Sequence, residues 1–188
     1  MAEYSEQPKR VSRRKKALLT VYEIVIFGML GALMMVSDLL MNIIPNVHLV
    51  GVTIVVLTVV YRWKALFPLY VYVLLIGLSE GIGTWWIPYL YVWTILWGMV
   101  MLLPRKMPKV AKCIVYPAVC SVFGFLFGTL FAPGQALMFG LSWKEMLAWI
   151  VAGIPFDIIH GISNLFAGML IFPLSELLLK LTKKLKIN

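Results

Sequence analysis

Apolar residues in this chain come in long runs separated by short polar or basic breaks. The first runs from about Ala17 to Asn42 and closes in the turn-like IPNVHL; the second covers about Leu49 to Tyr61 and meets the basic RWK. A third spans about Ala65 to Gly81, and a fourth about Ile87 to Leu103, before PRKMPKVAK. The fifth covers about Val110 to Phe131, and the sixth about Met146 to Leu179. Between the last two, after Pro133, lies the more polar GQALMFGLSWKE, which has room for a short interfacial helix. A membrane-crossing helix needs roughly 20 mainly apolar residues. The pattern therefore predicts an all-α membrane protein, a six-transmembrane-helix bundle.

The second run is short for that role. Thirteen or so residues rise only about 20 Å, against a hydrocarbon core of about 30 Å. Either the helix begins as early as Pro45, or it stops below the surface and leaves Asn46 and His48 at membrane depth. Non-helical backbone is tolerated there only where protein covers it or it lines a cavity. On the second reading the first connection becomes a pocket wall.

Composition sharpens the picture. Of 188 residues, 62% are hydrophobic, well above the usual half, so six helices with short connections use nearly the whole length. The expected organisation is a basic tail over 1–16, a transmembrane domain over 17–180 and a basic tail over 181–188. The first apolar run is too long for a cleaved secretory signal and is expected to remain in the mature protein.

The formal charge of +9 would suggest nucleic acid if it were spread over a surface. It is instead confined to alternate connections. The N-terminal tail, Arg62 and Lys64, the Arg105 to Lys112 stretch and the C-terminal tail hold every Lys and Arg except Lys144. Basic residues mark cytoplasmic loops, so both termini are expected in the cytoplasm of a cell-membrane protein. The connections around His48, Trp85 and Gln135 then face outward.

Among the acids, Glu3, Glu6 and Glu145 lie in aqueous stretches and Glu176 sits one turn before Lys180. Glu23 lies near the cytoplasmic start of the first helix, placed to snorkel or to meet a partner subunit. Asp38, Glu80 and Asp157 fall in the outer half, where an ionisable group is costly and faces a cavity or partner. Asp38 and Asn42 share one helix face, directed toward Asn46 and His48, and Asp157, His160 and Asn164 share another. Two polar stripes on separate helices imply one wet interior, with Pro155 placed to kink the sixth helix beside it. The competing reading is that the stripes are interhelical glue.

The stretch EGIGTWWIPYLYVW, residues 80 to 93, combines an aromatic interface belt with an acid between glycines. Glu80, Trp85, Trp86 and Tyr89 are assigned to a lid and pocket rim, and Tyr91, Trp93 and Trp97 to lipid or neighbouring helices. Catalysis finds little support: a hydrolase needs a nucleophile, a base and an orienting third group, and although Ser163 and His160 are near in sequence, no flanking glycine turn or metal motif supports them. Asp157, His160 and His48 are metal-ligand types, but with only two histidines in the chain no metal or other cofactor is assigned. No glycine-rich phosphate loop is present, so nucleotide energy would have to come from another chain. Cys113 and Cys120 read as buried thiols.

In size, six spans, cytoplasmic ends and outward polar pocket, the chain resembles the substrate-binding S components of energy-coupling factor (ECF) vitamin transporters. In that family a small-residue face on the first helix docks on a transmembrane coupling subunit that carries two ATPases. Gly28 and Ala32, with Gly31 beside them in FGMLGALMM, match that face, and small residues four apart let helices approach closely. The family's pocket is roofed by connections matching IPNVHLVG, SEGIGTWW and the Pro133 to Trp143 stretch. The resemblance implies a solute binder without enzymatic activity of its own. Its ligand would be a neutral or cationic heterocyclic vitamin or precursor, because acids without a nearby Lys or Arg disfavour a carboxylate. A non-transporting six-helix scaffold that recruits cytoplasmic partners is the alternative.

Overall fold

A computed structural model describes residues 18–41, 43 and 48–184. Asn42, Asn46 and most of the two tails lie outside the described residues. Those described are helical, with no strand: α1 (Val21–Met41), α2 (Val50–Tyr61), a 3-10 turn (Arg62–Ala65), α3 (Leu66–Glu80), α4 (Trp86–Met101), α5 (Lys109–Phe139), α6 (Trp143–Gly168) and α7 (Ile171–Lys184). By length and apolar composition four stretches could cross a membrane: Val21–Met41, Val50–Glu80, Lys109–Phe139 and Trp143–Gly168. The chain is thus built as a helical membrane protein.

Val50–Glu80 is continuous in helical backbone but not in direction. Asp38, late in α1, meets His48 just before α2 and Tyr72 within α3. Phe27, early in α1, packs on Tyr61 at the end of α2 and Phe67 at the start of α3. The chain therefore reverses at Arg62, whose φ of 56° is the one positive value at a non-glycine among the described residues. With 12 and 15 residues, α2 and α3 rise about 18 and 22 Å.

Later contacts continue the alternation. The Trp86 indole donates to the Val73 carbonyl and the Trp97 indole to that of Arg62, setting α4 antiparallel to α3. Along α5 and α6, Phe131 stacks on Trp149, Gly128 meets Asp157 and Ser121 donates to the Gly161 carbonyl. One end of the bundle, with Arg62, Lys64 and residues 102–108, is basic. His48 and residues 81–85 and 140–142 mark the opposite end.

Local chemistry explains most boundaries. Thr20 and Glu23 form a reciprocal cap at the start of α1: Thr20 N–H and Oγ1 donate to the Glu23 carboxylate at 2.8 and 3.0 Å, and Glu23 N–H returns to Oγ1 at 3.3 Å. The same carboxylate takes the Lys64 ammonium from the α2–α3 turn. Glu23 is therefore buried in an internal clamp, where the sequence suggested snorkelling or a partner contact. Ser142 and Glu145 cap α6 in the same reciprocal way.

Two boundaries differ from those expected. α5 does not stop near Phe131 but runs through Pro133 to Phe139, so no separate interfacial helix forms. Proline lacks an N–H and clashes with the preceding turn; here Tyr91 of α4 compensates. Its hydroxyl donates to the Leu130 carbonyl at 2.9 Å and accepts the Gly134 N–H at 3.1 Å. These are the two groups that pair in an uninterrupted ladder, so a side chain bridges the weakened step. The expected sixth helix is also two, α6 and α7. Pro173 cannot donate to the Met169 carbonyl four residues earlier, and α6 ends just there.

The closest helix pair is α5 with α6. A Cβ at Gly124 would come within 2.8 Å of the His160 carbonyl oxygen and 2.9 Å of the Gly161 Cα. Gly128, one turn on, faces Asp157. This is the small-residue spacing that brings membrane helices together. Of the expected thiols, Cys120 is buried and Cys113 is exposed.

Candidate ligand-binding site

Two aromatic rows and one polar helix face enclose a cavity of about 480 Å³ at the end opposite the basic one. Tyr89 and Trp93 lie four apart on α4, as do Phe127 and Phe131 on α5, so each pair points to one side. The rows interlock: Trp93 lies 5.5 Å from both Tyr89 and Phe127 between ring centroids, and Tyr89 lies 6.2 Å from Phe131. From α6, Trp149, Gly153, Phe156, Asp157 and His160 face the cavity at helical spacing. Phe156 is 59% exposed, so the α6 wall is the open side.

Polar groups enter this apolar setting in two different states. Asp38 is fully engaged: Oδ1 lies 2.9 Å from His48 Nδ1, and Oδ2 accepts the Tyr72 hydroxyl at 2.8 Å. That bond fixes the His48 ring and leaves Nε2 for a ligand. Asp157 is only half engaged. Its Oδ1 accepts the Gly128 N–H at 2.9 Å, while Oδ2 has no hydrogen-bond partner among the described residues. His160 packs against Phe127, tilted with ring centroids 4.9 Å apart, and its ring lies 6.0 Å from that of His48. Among the described residues no Lys or Arg lines the cavity.

Comparisons with protein-family models, curated proteins and solved structures find no match. The cavity's own chemistry must carry the functional reading.

Of the residues singled out in the sequence, Asp38, His48, Tyr89, Asp157 and His160 line the cavity together. Others lie elsewhere. Asn164 is buried below it, where Nδ2 donates to the Cys120 carbonyl at 3.3 Å, so it joins α5 to α6. Trp86 packs over Gly77 and bonds to Val73, and Trp85 stands behind Tyr89 with ring centroids 5.4 Å apart. Glu80 is exposed at the end of α3 and does not line the cavity. On α1, Gly31 is taken up internally, its Cα facing Val71 and the Pro68 carbonyl. Gly28 is half-buried and Ala32 exposed, so only these two of the expected partner face remain open.

Trp93, assigned to lipid or a neighbouring helix, is 3% exposed and packs on Tyr72 of α3 and on Phe123 and Phe127 of α5, and it also lines the cavity, a part the sequence reading had not given it. Phe127, Phe131 and Trp149 were not singled out either. The signal for α5 was present in FGFLFGTLF, where Gly124 and Gly128 alternate with Phe123, Phe127 and Phe131. A glycine row draws α6 close, and a phenylalanine row beside it faces the interior.

Among the described residues no three or more His, Cys, Asp or Glu side chains are grouped to hold a metal ion. Ser163 and both cysteines lie outside the cavity lining.

Proposed function

We propose that this chain is the solute-binding membrane subunit of an ATP-driven importer of the ECF type. It captures a small heterocyclic vitamin or precursor from outside. In this reading α1, α2, α3, α4, α5 and α6 with α7 make six membrane passages, and the basic end with both termini faces the cytoplasm. A separate transmembrane coupling subunit, docked near Gly28 and Ala32, and two ATPase subunits supply the energy.

The observation that carries the reading is the pairing of an interlocked aromatic wall with one unengaged carboxylate oxygen, Asp157 Oδ2. A cavity of about 480 Å³ is within the range of small-molecule sites. Flat rings stack against Tyr89, Trp93, Phe127 and Phe131. Asp157 Oδ2 accepts a ligand N–H or O–H, and His48 Nε2 and the His160 ring offer further hydrogen bonds. A carboxylate ligand finds no cation here and would face two acids, so a neutral or cationic heterocycle fits best.

The test is mass spectrometry of small molecules released from the purified protein, with a vitamin panel screened for a rise in melting temperature. The expected result is one co-purifying heterocycle, retained by wild type and bound at least tenfold more weakly by Asp157→Asn. An empty protein that no panel member stabilises overturns the reading.

A further inference from the structure

A second, smaller cavity of about 180 Å³ lies at the basic end, between α2, α4, α5 and the connection after α4. Its polar lining is Arg62, Arg105 and Tyr116, set against Val59, Val100 and Leu103, and among the described residues no acid lines it. The nearby Glu176 is paired with Lys112 at 3.8 Å. Two guanidinium groups thus share a small, partly apolar cleft without a counter-charge in its wall. Like charges held this way repel unless an anion joins them.

Arg62 is also held there against its own backbone preference. Its φ of 56° is unfavourable for a residue with a Cβ, and such strain persists only where the surroundings enforce it. They do so from three directions. The Arg62 N–H donates to the Thr58 carbonyl, its carbonyl accepts the Trp97 indole at 3.1 Å, and Nη2 donates to the Met101 carbonyl at 2.9 Å. These bonds consume a single donor of the guanidinium. Nε is buried without a partner, so the fork is fixed in place but incompletely satisfied. A buried unsatisfied donor of this kind calls for an explanation, an unseen ion among them.

We infer that the cleft formed by Arg62, Arg105 and Tyr116 binds a phosphate-type anion. Guanidinium forks match phosphate oxygens in paired, charge-assisted bonds, and the Tyr116 hydroxyl adds a donor. The cleft is smaller than the usual small-molecule site, so it accommodates the phosphate group itself and leaves any remainder of the molecule outside. Two sources share this chemistry: the headgroup of an anionic phospholipid, and free inorganic phosphate. The inference is independent of the aromatic cavity, which lies two to three turns away along α4 at the other end of the bundle.

The test uses the full chain in a neutral detergent, followed by native mass spectrometry with added phosphatidylglycerol or phosphatidylcholine, and by thermal melting in sodium phosphate or ionic-strength-matched sodium chloride. Arg105→Gln is the main variant, because Arg105 is exposed in a connection and its loss leaves the helices intact. Arg62→Lys is the second; it keeps the charge but loses the fork. Retention of phosphatidylglycerol over phosphatidylcholine, weakened about tenfold in Arg105→Gln, supports the site with a lipid source. A melting rise in phosphate but not chloride, lost in the same variant, supports it with a free-anion source. If wild type prefers neither anion over its control, or if Arg105→Gln and Arg62→Lys both behave as wild type, the inference is overturned.

Discussion

The buried acids Glu23 and Asp157, at opposite ends of the bundle, are used in opposite ways. Near the basic end, Glu23 closes on Thr20 and Lys64, and the Tyr61 and Thr182 hydroxyls meet at 3.0 Å, so these groups are spent on joining α1, the α2–α3 turn and α7. At the opposite end Asp38 is equally spent, but on orienting His48 toward open space, and Asp157 keeps one oxygen in reserve. Burial is similar, with Glu23 at 2% and Asp157 at 8%, so depth alone does not separate a clamp from a site. What separates them is whether hydrogen-bond capacity is left over and whether a cavity lies beside it.

Substitutions can break or sharpen this contrast. The largest effect is expected from Gly124→Leu, which forces side-chain atoms into the His160 carbonyl and the Gly161 backbone. Overpacking against backbone costs about 3 kcal/mol or more, read as a collapse of the melting transition in detergent, and ligand retention goes with it. Unchanged stability would show that the α5–α6 approach is looser than described. Glu23→Ala comes next. It removes the cap and the Glu23–Lys64 ion pair, costing about 2 kcal/mol in a denaturant titration while leaving ligand affinity untouched once the protein is folded. A selective loss of affinity would erase the distinction between the ends.

Tyr91→Phe removes only the hydroxyl that spans Leu130 and Gly134. Its cost is about 1 kcal/mol, and hydrogen exchange should rise chiefly around residues 130–139. Exchange that rises evenly along α5 would mean the bridge at Pro133 is unimportant. The smallest effect on the ligand is expected at Glu80, which does not line the cavity: its replacement by alanine leaves ligand retention unaltered, in contrast to Asp157→Asn. Equal losses in both would return Glu80 to the pocket rim.

Much of the cavity was legible because the cost of polar groups in an apolar chain is legible. Asp38, His48, Asp157 and His160 stood out as expensive, and helical spacing set Asp157 and His160 on one face, as they lie in the cavity. Asn164 shared the Asp157 face by the same rule but lies one turn deeper, past the cavity floor. The part of Trp93 in the cavity wall was not legible for the converse reason: in a chain this hydrophobic an aromatic ring suits any apolar surrounding, so its direction leaves no mark. Pro133 misled as well, because a proline ends a helix only when no neighbour repairs the ladder.

The sequence by itself determined the helical membrane character, the confinement of basic charge to alternate connections and the set of acids that need a partner. These follow from local quantities, namely run length, hydropathy and the cost of burying charge. Only the tertiary structure decided that Gly31 is consumed within the bundle while Gly28 and Ala32 stay open, that Tyr91 carries α5 past Pro133, and that Asp157 rather than Asp38 keeps a free oxygen. Each of these depends on which helix stands opposite. Helix partners are chosen by close packing and hydrogen-bond satisfaction among residues far apart in the chain.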